Sequence, residues 1–466
     1  MVSCTGKTTG TINNGMGTVN VSISDPPSCS GKTGTIAHVF VTVRSVQAHT
    51  SSSPTPDEAG WQELAPQLAD HPMQIDLFST AQTTCVLAQL GSAQLPAGDY
   101  QQIRLILVSN TPSASAALPA TNACAGNGFN CAVLNDGTMH ELLLSSQDET
   151  GLKIPPGRVV GGPIHVAAGQ SVDLNIDFNA CASILPTFRL RPTLTAGEVS
   201  TNNSGISGQI VDATTKQPIA GPVLVAIEKT DGSGVDRIMM EASADANGNF
   251  RFCPLPTGTF DIVAVALGPN NLPYNATAVL NVPNGQSLGM IPLTAETGAS
   301  GPAILQGFAT ATTGTAPAQV DVAFAALQGV SLGGGVTRQL SIPLETTQAT
   351  ASAASQPSTS PLSLTSTTTC PVGSPANANC AQYTLVVPAS NPVVGTFAAS
   401  GFSFAGPATG DVLFSVDAIA TRPGSGGASI CTQPEQMTAK DGNGQPLKVT
   451  AGMTTNVAEL DFAGCS

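Results

Sequence analysis

Short runs in which apolar and polar residues alternate recur along this 466-residue chain. In GTVNVSISD (17–25) and HVFVTVRSVQAH (38–49) the period is two: Val39, Val41 and Val43 share one face, and His38, Phe40, Thr42 and Arg44 the other. Similar runs are QIDLF (74–78), QQIRLILV (101–108), MHELLLSS (139–146) and SVDLNIDF (171–178). In the last, Val172, Leu174, Ile176 and Phe178 alternate with Asp173, Asn175 and Asp177. Such segments predict half-buried strands, one face in a core and one in water, paired antiparallel. QVDVAFAAL (319–327), RQLSIPL (338–344), QYTLVVP (382–388) and DVLFSVDAIA (411–420) extend the pattern towards the C-terminus.

Composition points the same way. Only 10% of residues are charged, too few for the polar faces of long amphipathic helices, while 48 Gly and 35 Pro supply many turns. The predicted fold is all-β: three antiparallel Greek-key or immunoglobulin-like β-sandwich domains in series, with little helix. A flexible tether (1–16) precedes domains at 17–200, 204–296 and 301–466. The third contains a Ser/Thr/Ala/Pro tract (346–369) too poor in large apolar residues to offset its ordering entropy, and is expected to hold a mobile loop there. The net charge is −14 with no basic cluster, which argues against a nucleic-acid partner. No stretch approaches the ~20 apolar residues of a membrane-spanning helix.

Two endings are spelled almost alike. GGPIHVAAGQSVDLNIDFNACAS (161–183) and QPLKVTAGMTTNVAELDFAGCS (445–466) share Pro-x-x-Val-x-Ala-Gly, and both lead to Asp-Phe-x-x-Cys at Asp177 and Asp461. The second is one residue longer between its Gly and its Asp. One added residue flips every later side chain unless a bulge or longer turn absorbs it. If the two are copies, the first and third domains close alike; chance similarity between two strand-rich endings is the other reading.

Two resemblances rest on ordered motifs. SISDPP, VFVTVRSVQAH, LPAGDYQQIRLIL, TGLKIPPG and DFNACASI followed by FRLRPTLTAG, all within 17–199, resemble the bacterial family called domain of unknown function 4382. That resemblance implies an exported, often lipid-anchored protein with a β-sandwich core and no assigned chemistry. ISGQIVDATTKQPIAGPVLVAIE and ADANGNFRFCPLPTGTFDIVAVALG, within 204–296, are similar to the carboxypeptidase regulatory-like module, a Greek-key sandwich shaped like prealbumin. Gly208, Asp212, Pro218, Gly221, Asp245, Gly248, Phe250, Leu255, Pro256, Gly258 and Phe260 carry its pattern. It implies a supporting module without chemistry of its own. Residues 301–466 resemble no family.

Eleven cysteines include no C-x-x-C pair, which argues against zinc ribbons and thioredoxin-like redox sites. Scattered through turn-rich sequence, they suit disulfides in an oxidising compartment. Cys124–Cys131 and Cys370–Cys380 each enclose a short loop and are predicted bridges, as is Cys431–Cys465. Cys29, Cys85, Cys181 and Cys253 pair in an order left open. Cys4, in MVSCTGKTTG, is the odd one and a candidate lipid anchor.

Candidate chemistry is sparse. All five histidines (His38, His49, His71, His140, His165) fall in the first domain, but His38 and His49 are eleven residues apart on one strand, more than ~30 Å. Solvated histidines are the favoured reading. No metallohydrolase, nucleophile-elbow or phosphate-loop motif occurs. DANGNF (245–250) and KDGNGQP (440–446) space Asp and Asn as a calcium loop does, but Arg251, Phe252 and Cys253 stand where the closing Glu belongs, so turns are expected. No catalytic, metal or cofactor site is predicted. The expected role is a non-catalytic surface scaffold or adhesin with an unidentified surface partner; the alternative is glycan binding, for which Trp61 is the candidate contact.

Overall fold

The computed structural model describes residues 15–24, 36–52, 59–78, 88–144, 151–154, 159–160, 162–178, 184, 188, 190, 194–199, 205–231, 233–255, 258–296, 298–312, 320–332, 337–343, 362–364, 370, 373–374, 378–398, 401–421 and 436–462. Cys4, Cys29, Cys85, Cys181, Cys431, Cys465, nearly all of the tether and nearly all of the 346–369 tract lie outside them. The fold is all-β. Among the described residues the helical elements are short 3-10 turns at Pro66–Ala69 and Pro269–Asn271.

In the N-terminal unit a sheet containing Ala88–Pro96, Met16–Ser24, Ser171–Phe178 and Leu194–Glu198 shares one core with a sheet built around Ile36–His49 and Gln102–Leu107. Val39, Val41 and Val43 point inward, as the alternation predicts, but so do Val46 and Ala48. The register shifts between Val43 and Ser45, and this bulge moves the inward face by one residue.

The repeated ending is structural. Met16–Ser24 lies parallel to Ser171–Phe178, in register from Thr18 opposite Ser171 to Ser24 opposite Asp177. In the C-terminal unit Ala303–Ala311 lies parallel to Thr454–Asn456 and then to Leu460–Phe462. Ser24 Oγ donates to Asp177 Oδ1 (3.1 Å), and Thr310 Oγ1 to Asp461 Oδ1 (3.2 Å). Gly169 (φ 71°) and Gly452 (φ 70°) turn the chain into both closing strands, in the left-handed conformation that glycine adopts without strain. Gln306 faces Asn456 and Ala309 faces Leu460, three steps against four. The added residue is therefore held in a bulge, and Phe178 and Phe462 both stay in a core.

The middle unit closes the same way, Ile206–Asp212 lying parallel to Ser287–Leu293. Its other sheet, with Asp236–Ser243, Val223–Thr230, Thr259–Gly268 and Thr277–Pro283, continues into Val393–Thr396 and Phe404–Ala405 from beyond residue 301. Val225, Ile227, Ile262, Ala264 and Val279 enter the core of the middle unit. Leu224, Val263, Val265, Ala278 and Leu280, on the opposite face, enter the core of residues 303–462. A sheet buried on both faces needs near-continuous apolar strands, and VLVAI (223–227) and IVAVA (262–266) are such strands. The junction expected at 297–301 is thus bridged by a shared sheet and a shared core.

Candidate functional site

Ionisable side chains converge where the middle sheet meets Thr337–Ile342. Glu228 and Asp261 stand directly opposite each other on adjacent strands, and Asp236 lies on the next strand out. All three are buried, at 0%, 3% and 0% exposure. Arg338 reaches in from the C-terminal segment: its Nη1 hydrogen-bonds Asp261 Oδ2 and lies 3.8 Å from Asp236 Oδ2. Ser341 ties the strands together, its N–H donating to Glu228 Oε2 (3.2 Å) and its hydroxyl to the Asp236 carbonyl (2.6 Å). Beside this group Arg237 bridges Asp231 (Nε to Oδ2, 3.0 Å) and the buried Asp417.

The joint gathers more carboxyls than cations. Burial, and the charges of Asp236 and Asp261, push the Glu228 carboxyl well above the usual carboxylate range. Burial likewise raises Asp236 to about 7, with Asp261 adding to the rise and Arg338 opposing it. Among the described residues no group of three or more His, Cys, Asp or Glu has the arrangement to hold a metal ion.

A second buried carboxyl lies between the N-terminal and middle units. Asn175 and Asp177 alternate with core residues, yet are only 2% and 4% exposed, which corrects the expectation that this face meets water. Met239, Met240 and Pro254 of the middle unit line the same narrow cleft and cover it. Thr195 Oγ1 adds a hydrogen bond across the junction to the Met239 carbonyl (2.6 Å). Within the face, Ser22 Oγ donates to Asn175 Oδ1 (3.0 Å) and Asn175 Nδ2 to Ser24 Oγ (2.7 Å). Burial pushes Asp177 up to about 7 against the opposing effect of the Ser24 hydroxyl. A larger groove, between the middle and C-terminal units, is lined by prolines and aliphatic residues including Leu224, Val265 and Val386. Tyr274 is its titratable group, and its hydroxyl is donated to Asp212 Oδ2 (3.0 Å).

The histidines singled out in the sequence take separate partners. His38 hydrogen-bonds Asp76 and His165 hydrogen-bonds Asp99, each at 2.7 Å on the surface; the Asp99 hydrogen bond raises the His165 pKa. His140 stacks on Phe188 at 4.0 Å. His49 departs from the solvated reading: it is 5% exposed, accepts the Ser51 N–H at Nδ1 (2.9 Å) and packs 5.2 Å from the ring of Trp61. The opposite face of the Ile36–His49 strand is covered here rather than open.

Trp61 is half-buried, with the guanidinium of Arg104 4.0 Å from its ring centroid. Its ring is already engaged within the chain, which weakens it as a sugar platform. The two Asp-Asn loops are turns closed on their own aspartates: Asp245 Oδ1 accepts the Asn247 and Asn249 N–H groups (2.9 and 2.8 Å), and Asp441 Oδ1 those of Asn443 and Gln445 (2.9 and 2.7 Å). Cys124 and Cys131 form a disulfide, Cα atoms 5.7 Å apart, as do Cys370 and Cys380 at 5.5 Å. Cys253 is also disulfide-bonded.

Glu228, Asp236, Asp261 and Arg338 were not candidates from the sequence. The available signal was a charged residue interrupting an apolar strand, as Glu228 ends VLVAI and Asp261 precedes IVAVA.

Residues 16–192 match the family described as domain of unknown function, DUF4382. No curated protein matches the chain. Solved structures similar to it include the minor pilin GBS52 of Streptococcus agalactiae, at 12% identity over 55% of this chain and 95% of that one, TM-score 0.17. The shaft pilin SpaA of Lactobacillus rhamnosus GG is 11% identical over 60% and 98%, TM-score 0.17. A DUF3823 family protein of Bacteroides uniformis is 10% identical over 55% and 96%, TM-score 0.16. Likeness at these TM-scores assigns no role to this chain.

Proposed function

We propose that this chain is a non-catalytic β-sandwich scaffold exported to a bacterial cell surface. The observation that carries the reading is the placement of its convergent ionisable groups. Among the described residues, Glu228, Asp236 and Asp261 are sealed inside a joint between units, where a substrate has no access, and Tyr274 is the titratable group lining the larger groove. Disulfides at Cys124–Cys131, Cys370–Cys380 and Cys253 favour an oxidising compartment. The family match of residues 16–192 and the resemblance of residues 204–296 to a carboxypeptidase regulatory-like support module agree with it.

Cys4 is the lipid attachment point in this reading, and mass spectrometry of the native N-terminal peptide tests it: a diacylglyceryl adduct is expected, and an unmodified peptide starting at Met1 counts against it. Glycan-array screening of the full chain beside Trp61→Ala tests the scaffold role. No saturable binding by either protein is expected. Binding that Trp61→Ala abolishes would replace the scaffold reading with carbohydrate recognition.

A further inference from the structure

We propose that residues 206–462 are built to carry tension along the chain. The proposal deepens the scaffold reading and rests on how the first and last strands of each unit are paired. In the middle unit the chain arrives at Ile206 and leaves at Leu293, at opposite ends of a parallel ladder that runs from Ser207 opposite Ser287 to Asp212 opposite Leu293. Pulling those two ends apart slides one strand along the other. Every hydrogen bond of the ladder is then loaded at once, so all must fail together.

The C-terminal unit repeats the geometry. The chain arrives at Ala303 and leaves the ladder at Phe462, with Ile304 to Gln306 paired to Thr454 to Asn456, and Ala309 to Ala311 paired to Leu460 to Phe462, both parallel. Leu293 leads to Ala303 through a short connection, so load leaving the first ladder passes directly into the second. In the middle unit Ser287–Leu293 is an edge strand bonded to Ile206–Asp212, which makes that ladder the place where the load is held. The two units that hold these ladders are also tied together elsewhere: Val393–Thr396 is sewn into the other sheet of the middle unit, and Arg338 and Arg237 reach across to Asp261 and Asp417.

The N-terminal unit lacks this arrangement although it has the same closing strand. After Ser171–Phe178 the chain turns back through Leu194–Glu198, which is antiparallel to it, with Glu198 opposite Leu174. Thr18 faces Ser171 at that same end of the sheet. Load between Met16 and Glu198 therefore peels the last strand from one end, breaking its bonds in succession.

Single-molecule force spectroscopy of the full chain tests the proposal, since forced unfolding reports the barrier in the direction of pulling. With handles at the two termini, residues 16–199 are expected to open first. Residues 206–462 are expected to open at about twice that force or more. Moving the second handle from the C-terminus to Gln286 keeps every contact but places both handles at one end of the middle ladder, and the rupture force of the middle unit is expected to fall at least about twofold. Equal forces in the two geometries, or residues 206–462 opening before 16–199, would overturn the proposal. Neither result bears on the scaffold reading, which fails instead on glycan binding.

Discussion

The N-terminal and C-terminal units share one motif, and the difference lies in what covers it. Asp177 and Asp461 sit at equivalent places, each accepting a hydroxyl from the opening strand, Ser24 or Thr310. Asp177 is sealed under Met239, Met240 and Pro254, whereas Asp461 is half-buried. A local pattern therefore specifies strand, turn and partner, while the environment of the outward face is decided by residues distant in sequence. The same contrast holds between larger regions. Residues 16–199 have a core of their own, whereas residues 205–462 share one sheet and one core across their middle.

The comparison breaks most severely at Arg338. Arg338→Ala leaves Asp261 and Asp236 buried without their cation, a loss of about 3–5 kcal/mol for a broken buried pair. Denaturant unfolding followed by calorimetry is expected to show residues 205–462 destabilised and 16–199 unchanged. An unaltered 205–462 transition would mean that the joint does not hold the two units together.

The next test uses protons. Asp177, held at about 7, binds its proton more tightly folded than unfolded, so its contribution is complete below the unfolded value and is lost as pH rises through about 7. A rise of about 3 units corresponds to at most about 4 kcal/mol. Asp236 and Glu228 are raised in the same direction, so residues 205–462 should also weaken with rising pH. Thermal melts between about pH 5 and 8.5 should show both regions weakening. Asp177→Asn should flatten the profile of 16–199 alone; a profile that stays steep would remove Asp177 as its cause.

Smaller effects sharpen the contrast between the two closing strands. Ser24→Ala leaves a buried carboxyl without its hydroxyl donor and should cost about 1–3 kcal/mol, whereas Thr310→Ala, beside a half-buried carboxyl, should cost about 1 kcal/mol or less. Equal losses would show that cover is irrelevant. The smallest effect belongs to His165→Gln, where the exposed pair with Asp99 is expected to leave the unfolding midpoint unmoved.

What was legible in the sequence was local. The two short cysteine loops, the strand alternation and the twin endings depend on neighbours in the chain, and the bulge at 457–459 answers the one-residue mismatch between the twins. The joint was hidden because Glu228, Asp261 and Arg338 come from separate strands, 77 residues apart in the case of the Arg338–Asp261 bond. The shared sheet was nonetheless written in VLVAI and IVAVA, whose lack of alternation marks burial on both faces. The cover over Asn175 and Asp177 left no such mark, because Met239, Met240 and Pro254 belong to another unit.

Differential scanning calorimetry of the oxidised full chain, with hydrogen exchange to assign each transition, tests most directly whether residues 205–462 form one body. Two transitions are predicted, one for residues 16–199 and one in which 205–296 and 301–462 melt together. Separate melting of 205–296 and 301–462 would contradict the account.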